Sequence, residues 1–453
     1  MLVFNYSGKW KHCSYSITSS EIPEIIQMRE EFLHHIWKFG LFRKDALTTT
    51  DGRSVVVIHP GQHNHQSGPD FFNARVEIDG TLWVGNVEIH VDERDWFRHE
   101  HHLDVAYDNV ILHVVFAPSS DGTTNTQGRE IPVLSLDSRI SERQYHLYLS
   151  FLASRQFIPC GALLSSVSKT VVSLCQDRML VNRLERKSKD VLLRLDRNRG
   201  DWQQTLFEQL AMNFGFKVNA QPMEMMARSL PVNLLGKYQD NLLQLEALLF
   251  GQSGWLDERL ETDYALQLQN EFAFLRHKHK LIPIEPVAWK FGRMRPANFP
   301  TIRVAQLAAL VHGSKGLFRA ILESENPAEL AALFDVTASP YWSEYHHFDR
   351  RTASGLEKHL GAASQDNIII NTVVPFLFAY SQHLDDQRYA DKGIRLLESR
   401  PPESNRIVLN MHKLGFDLEH AAHSQSLLEL KSQYCDEKKC LHCAIGTKLL
   451  NDA

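Results

Sequence analysis

No stretch of the 453-residue chain holds the roughly 18 consecutive apolar residues that a membrane-crossing helix requires. Its start, MLVFNYSGKWKHCSYS, also lacks the charged-then-apolar run and small-residue cleavage site of a secretory signal, so a cytoplasmic protein without membrane attachment is expected. Excess charge is missing too. Lys and Arg number 49 against 54 Asp and Glu, a net charge of -5, so any surface for nucleic acid must be local. Six cysteines are too few for a disulfide scaffold in a chain this long, and closely spaced thiols in a reducing compartment read as metal ligands. There is no internal repeat of fixed period and no low-complexity segment. The remaining composition, 43% hydrophobic and 23% charged, is that of a globular protein with a core that needs no staples and length for two or three domains.

The first third of the chain alternates between helical and strand patterns. Residues 22–39 carry apolar side chains at helical spacing with Glu30 and Glu31 inside the run. SVVVIHPG reads as a strand ended by Pro60-Gly61, and strands follow at about 70–77 and 81–91, joined by Asp79-Gly80. A helical stretch is expected around Trp96 to Tyr107. VILHVVFAP is a nearly unbroken apolar run, the mark of a strand buried on both faces, and REIPVLSL adds one more strand. These elements predict an α/β domain over residues 1–138. Amphipathic helical segments such as YQDNLLQLEALLF and RVAQLAALVHG then predict a mainly α-helical domain over 139–433, and residues 434–453 form a separate Cys-rich motif.

The hairpin carries the chemistry. Glu88 and His90 stand two residues apart on one strand, so both point to one face. Asp70 lies at the open end of the partner strand. Register decides whether the carboxylates meet. A three-residue turn sets Asp70 opposite Glu88, whereas a two-residue Asp79-Gly80 turn sets it opposite Ile89 unless a bulge intervenes. A divalent ion held by Asp70, Glu88 and the Ile89 carbonyl would acidify a bound water for attack on phosphorus. The crowd of histidines at 59, 63, 65, 90, 99, 101, 102 and 113 opens an all-His zinc site as an alternative, although no HxxxH or HExxH pair lies on a convincing helix. Most of these imidazoles are expected to be phosphate-contacting or simply polar, and His113 to be a hydrogen-bonded core residue.

Pro69-Asp70 followed by Glu88-Ile89-His90, in this order of elements, resembles the PD-(D/E)XK nuclease superfamily over residues 22–117. The resemblance implies an αβββαβ restriction-endonuclease-like core with a mixed sheet, and a Mg²⁺- or Mn²⁺-dependent phosphodiesterase in which Asp70 and Glu88 hold the ion. It also implies a helical acid, Glu31 or Glu30, as a further ligand. His90 stands where that superfamily usually has lysine. Histidine can take a proton near neutral pH or bind a transition metal but carries no permanent charge, so either the lysine's role is replaced or catalysis is lost and binding remains.

Cys435, Cys440 and Cys443 form C-x4-C-x2-C, a density of thiols that points to Zn²⁺ or a 4Fe–4S cluster. Cys160 is the leading fourth ligand, ahead of His442, Cys175 and Cys13. Their layout resembles the Fe–S staple of some nucleases in the same superfamily, except that Cys160 follows the nuclease motifs instead of preceding them. WKFGRMRPANFPTIR concentrates Lys290, Arg293, Arg295, Asn298 and Arg303 among aromatic residues, a combination suited to phosphates and exposed bases, with DNA favoured over RNA as the partner. The earlier basic run from Arg183 to Arg199 reads more readily as a solvated helix face. GPDFFNARVEIDG, GNVEIHVDERDW, FGRMRPANFPTIRVAQLA and the closing cysteine motif resemble, over nearly the full length, a bacterial family of unknown function. The expectation is a nuclease; an inactive nuclease-like binding or scaffold protein is the alternative.

Overall fold

The computed structural model describes residues 28–314, 316–352 and 355–453, together with the backbone of strands β1 (Leu2–Phe4) and β2 (Trp10–His12). Cys13 and the first turns of the expected 22–39 helix lie outside the described residues. The chain divides into two units, one of Met1–Cys175 with Ser432–Ala453 and one of Gln176–Lys431. The sequence-based domains divide at 138 and 434, and these compact units divide at 175 and 432. Tyr145 and Tyr148 of the next helix lie with their rings 5.0 Å from that of Phe32, which keeps that helix in the first unit. The C-terminal segment belongs there too, because Gln144 donates to the Leu450 carbonyl and His35 bonds Asn451.

In the first unit, helix α1 (Glu30–Phe39) buries Phe32, Leu33, Ile36 and Trp37 on one side and ends on Gly40 in the left-handed region. The main sheet contains β3 (Val55–His59), β4 (Gln62–His63), β5 (Phe71–Ile78), β6 (Thr81–Asp92), β7 (Val110–Ala117) and β8 (Val133–Ser135). Its order is β3-β5-β6-β7-β8, with β4 also paired to β5. β3, β4 and β6 run antiparallel to β5, while β6, β7 and β8 are mutually parallel neighbours, so the sheet is mixed as expected. Every residue of β7 is buried, which accounts for its unbroken apolar sequence.

The expected helix between β6 and β7 is only a turn, α2 (Asp95–Arg98), followed by two 3-10 turns at His101–Leu103 and Val105–Tyr107. Glu100 interrupts it at φ 61°, and Asp104 caps the last turn by accepting from the Ala106 N–H. After α3 (Glu142–Ala153) comes the long helix α4 (Lys169–Arg197), within which the boundary between units falls.

The second unit is mostly helical around a large apolar core that includes Phe250, Phe334, Trp342 and Phe376. Among the described residues no helix is long and apolar enough to cross a membrane. Glu246 sits fully buried in this unit, accepting from the Tyr264 and Ser339 hydroxyls. Burial pushes its carboxyl up to about 7 from an ordinary 4.5. The folded state thus holds a proton that the unfolded state has released, and stability falls as pH rises through the window from 4.5 to about 7. At 1.36 kcal/mol per unit this amounts to about 3 kcal/mol. Denaturant titration at about pH 5 and about pH 8 should show that difference in the wild type and a flattened one in Glu246→Gln.

Candidate metal centre at the hairpin mouth

The turn between β5 and β6 has two residues, with Asp79 at φ 48° and Gly80 at φ 76°, as the mirror-image hairpin turn requires. Ile78 accordingly pairs with Thr81, and the ladder continues through Val76↔Trp83 to Ala74↔Gly85. Continued unchanged, it would set Asp70 against Ile89. It does not continue unchanged. The next pair is Phe71↔Val87, so β5 has spent one extra residue on a bulge in which Asn73 adopts φ 55°. β6 is irregular here as well, shifting its register to β7 between Asn86 and Val87. Gly85 is required at this point, since a Cβ would lie 2.4 Å from Ile111 and 2.7 Å from the Asn109 carbonyl.

The shifted register carries Asp70 across from Glu88. The two are braced reciprocally: the Asp70 N–H donates to Glu88 Oε2 at 3.0 Å, and the Ile89 N–H donates to Asp70 Oδ2 at 2.9 Å. His34 on α1 places Nε2 3.1 Å from Asp70 Oδ2. Burial works against its imidazolium, but the bond and charge of Asp70 outweigh that, and the His34 pKa is raised. The other Glu88 oxygen faces imidazoles, 3.3 Å from His101 Nε2 and 3.6 Å from His90 Nε2. Burial, followed by the charge of Asp70, pushes the Glu88 carboxyl up to about 9.

His90 shares the face of Glu88 but is only 2% exposed, and burial with the neighbouring His101 and His99 brings its pKa down to about 3. Its Nε2 lies 3.2 Å from His99 Nδ1, and one ring nitrogen each of His90, His99 and His101 lies within 4.8 Å of the others. His113 is fully buried with both nitrogens bonded, to His90 at 2.9 Å and to Thr123 at 3.0 Å.

The partners of Asp70 and Glu88 among the described residues are backbone N–H groups and imidazoles, with no ammonium or guanidinium. Two close carboxyl groups without a permanent positive charge are the setting that a divalent cation relieves. The nitrogen-rich surroundings favour Mn²⁺ or Zn²⁺ over Mg²⁺. Glu31, the helical acid named from the sequence, has its carboxylate accepting from the Tyr148 hydroxyl and 3.6 Å from Arg29. Glu30 is the acid of α1 that couples electrostatically to His34, Asp70 and His99; burial raises its pKa. Asp70 opens onto a cavity of about 270 Å³ also lined by Glu31, His34, His63, His65 and His442.

The cysteines gather in the same unit. Cys160, Cys175, Cys440 and Cys443 are buried and Cys435 is half-buried. Cys175 and Cys443 bring their sulfurs to 4.0 Å, giving Cys175 a closer partner than its place in the sequence suggests. Burial, with Cys443 and Cys440 nearby, pushes the Cys160 thiol up to about 12. Cys440 is also at about 12, through burial and Cys443.

In the second unit, Lys290, Arg293, Arg295 and Asn298 are exposed. Arg303 is not: it is 7% exposed and donates to Gln306, Asn298 and Ser364, so it braces the loop from beneath instead of presenting a charge. The earlier basic run is largely neutralised. Arg183 and Arg186 pair with Glu429, while Arg194 and Arg197 pair with Glu208 and Glu224.

No curated protein and no solved structure gives a significant match to the chain. A family model does match, over residues 30–406, a span that takes in Asp70, Glu88 and the histidines and ends before Cys435. The chain belongs to the family described as Protein of unknown function (DUF2851).

Proposed function

We propose that the chain is a metal-dependent phosphodiesterase acting on nucleic acid, with Asp70 and Glu88 holding Mn²⁺ or Mg²⁺ and His90 in the place of the superfamily's lysine. The observation that carries this reading is the bulge at Asn73, which sets Asp70 across from Glu88 despite a two-residue turn. An ion bound there would acidify a coordinated water for attack on phosphorus. His34, with Nε2 3.1 Å from Asp70 Oδ2, would orient that carboxylate toward the ion. The exposed Lys290, Arg293 and Arg295 are the groups suited to phosphates, with DNA as the favoured partner. Cys160, Cys175, Cys440 and Cys443, with Cys435 near, are proposed to hold Zn²⁺ or a 4Fe–4S cluster; metal content and the visible spectrum decide between them.

The test is incubation of labelled DNA and RNA with Mn²⁺ and either the wild type or Asp70→Ala. Cleavage by the wild type should fall in the variant by more than the ~100-fold that loss of an outer-shell partner costs. Equal cleavage by both sinks the assignment. The binding or scaffold reading rests on the buried, uncharged His90, and binding without cleavage by either protein would favour it.

A further inference from the structure

We infer that His90, His99 and His101 form a nitrogen-donor site for a transition-metal ion, beside Glu88 and separate from the Asp70 flank of the mouth. The direction of the hydrogen bonds behind His90 supplies the argument. Glu93, 2% exposed, is the acceptor at the far end; it takes the Ser119 N–H at 2.6 Å and the Thr123 hydroxyl at 3.4 Å. A hydroxyl has one hydrogen. With that hydrogen directed at Glu93, Thr123 Oγ1 accepts from His113 Nδ1 at 3.0 Å. A neutral imidazole carries one N–H, so His113 Nε2 is a lone pair and accepts from His90 Nδ1 at 2.9 Å. His90 is thereby left with its Nε2 lone pair turned toward His99 and His101.

A row of bonds that fixes one tautomer and aims the free nitrogen is the arrangement found behind metal-ligating histidines. The spacings agree. Ligands about 2.0–2.1 Å from a tetrahedral zinc stand about 3.3 Å apart. Here His90 Nε2 and His99 Nδ1 are 3.2 Å apart, His101 Nε2 and Glu88 Oε1 are 3.3 Å apart, and His90 Nε2 and Glu88 Oε1 are 3.6 Å apart. Trp96 holds two of the rings, lying 5.4 Å from His101 and 5.2 Å from His113 between ring centres. Three imidazoles select Zn²⁺, Co²⁺ or Mn²⁺ and disfavour Mg²⁺.

The site does not depend on the phosphodiesterase reading. It is tested by titrating the full chain with Co²⁺ and following the visible d–d bands, which are distinct from the near-ultraviolet thiolate charge transfer that cobalt at the cysteines would produce. Wild type should take up Co²⁺ showing nitrogen and oxygen ligation, and Asp70→Ala should retain one such ion. His99 is exposed, so His99→Ala should fold normally and lose affinity by more than ~100-fold. Thr123→Val, which breaks the directed row without touching a ligand, should weaken binding by ~10–100-fold. Binding unchanged in His99→Ala overturns the proposal, as does equal loss in Asp70→Ala, which would centre the ion on the carboxylates. Absence of cleavage by the wild type would sink the phosphodiesterase reading and leave the Co²⁺ result standing.

Discussion

Inserting one alanine between Asp70 and Phe71 is expected to abolish metal-dependent cleavage, whereas deleting Asn73 should leave it within a few-fold of wild type. Neither change alters a proposed catalytic side chain; both act on register. Phe71 is fully buried, pairs with Val87 on one side and His63 on the other, and anchors the strand downstream of the insertion. The new residue would then stand across from Glu88. Asp70 would move to Ile89 and project from the opposite face, because side chains alternate along a strand. Deletion of Asn73 has the opposite logic. Asn73 is the extra residue of the bulge, so its removal straightens the ladder while Phe71 keeps Val87 and Asp70 keeps Glu88. It also removes a residue held at positive φ. The measurement is Mn²⁺-dependent cleavage beside circular dichroism for each variant. Full activity in the insertion variant would separate the chemistry from the pairing of Asp70 with Glu88.

The largest loss of stability is expected from Trp96→Ala, about 3–5 kcal/mol. Trp96 is fully buried and its indole N–H donates to the Thr124 carbonyl at 2.9 Å. It packs in a small core with Tyr107, Val110 and Ile131, away from the main apolar layers. Truncation opens a void there and strands a carbonyl next to Thr123. The rings of His101 and His113 lose the surface they lean on, so metal affinity should fall together with the denaturation midpoint. Trp96→Phe should recover most of the packing but not the hydrogen bond, and its midpoint should lie between those of wild type and alanine. A midpoint for Trp96→Ala within about 1 kcal/mol of wild type would show that the cluster does not depend on this wall.

Much of the first unit was legible from periodicity. Glu88 and His90 share a face because they are two apart, and β7 announced itself by being apolar throughout. Asp79-Gly80 leaned toward the two-residue turn but left the three-residue register open. The bulge was less visible: its trace is Phe71 and Ala74, both buried though three residues apart, within a strand that otherwise alternates. That trace acquires meaning only once the core is known. His99 and His101 were named only within a crowd of eight histidines, with nothing to single them out. They lie on short turns around a left-handed Glu100, and such turns impose no periodicity on sequence. The roles of Glu31 and Arg303 depended on partners distant along the chain, Tyr148 for one and Ser364 for the other. The same holds for the arginines of α4, whose acids sit at Glu208, Glu224 and Glu429. Tyr145 and Tyr148 tie their helix to the first compact unit by aromatic packing on Phe32, which no local pattern records.

The return of Ser432–Ala453 to the first unit also has a consequence for the order of folding. Residues 176–431 are one continuous segment and need nothing from Ser432–Ala453 to complete their unit. The first unit has no such freedom. His35 on α1 and Gln144 on α3 wait for Asn451 and Leu450, and Cys175 waits for Cys443. The unit that carries Asp70 and Glu88 therefore closes only once Leu450 and Asn451 are in place. Its closure joins ends separated by a folded body instead of a flexible loop, which lowers the entropy lost at that step. A chain cut short before residue 432 would hold the whole helical unit and leave the first unit open.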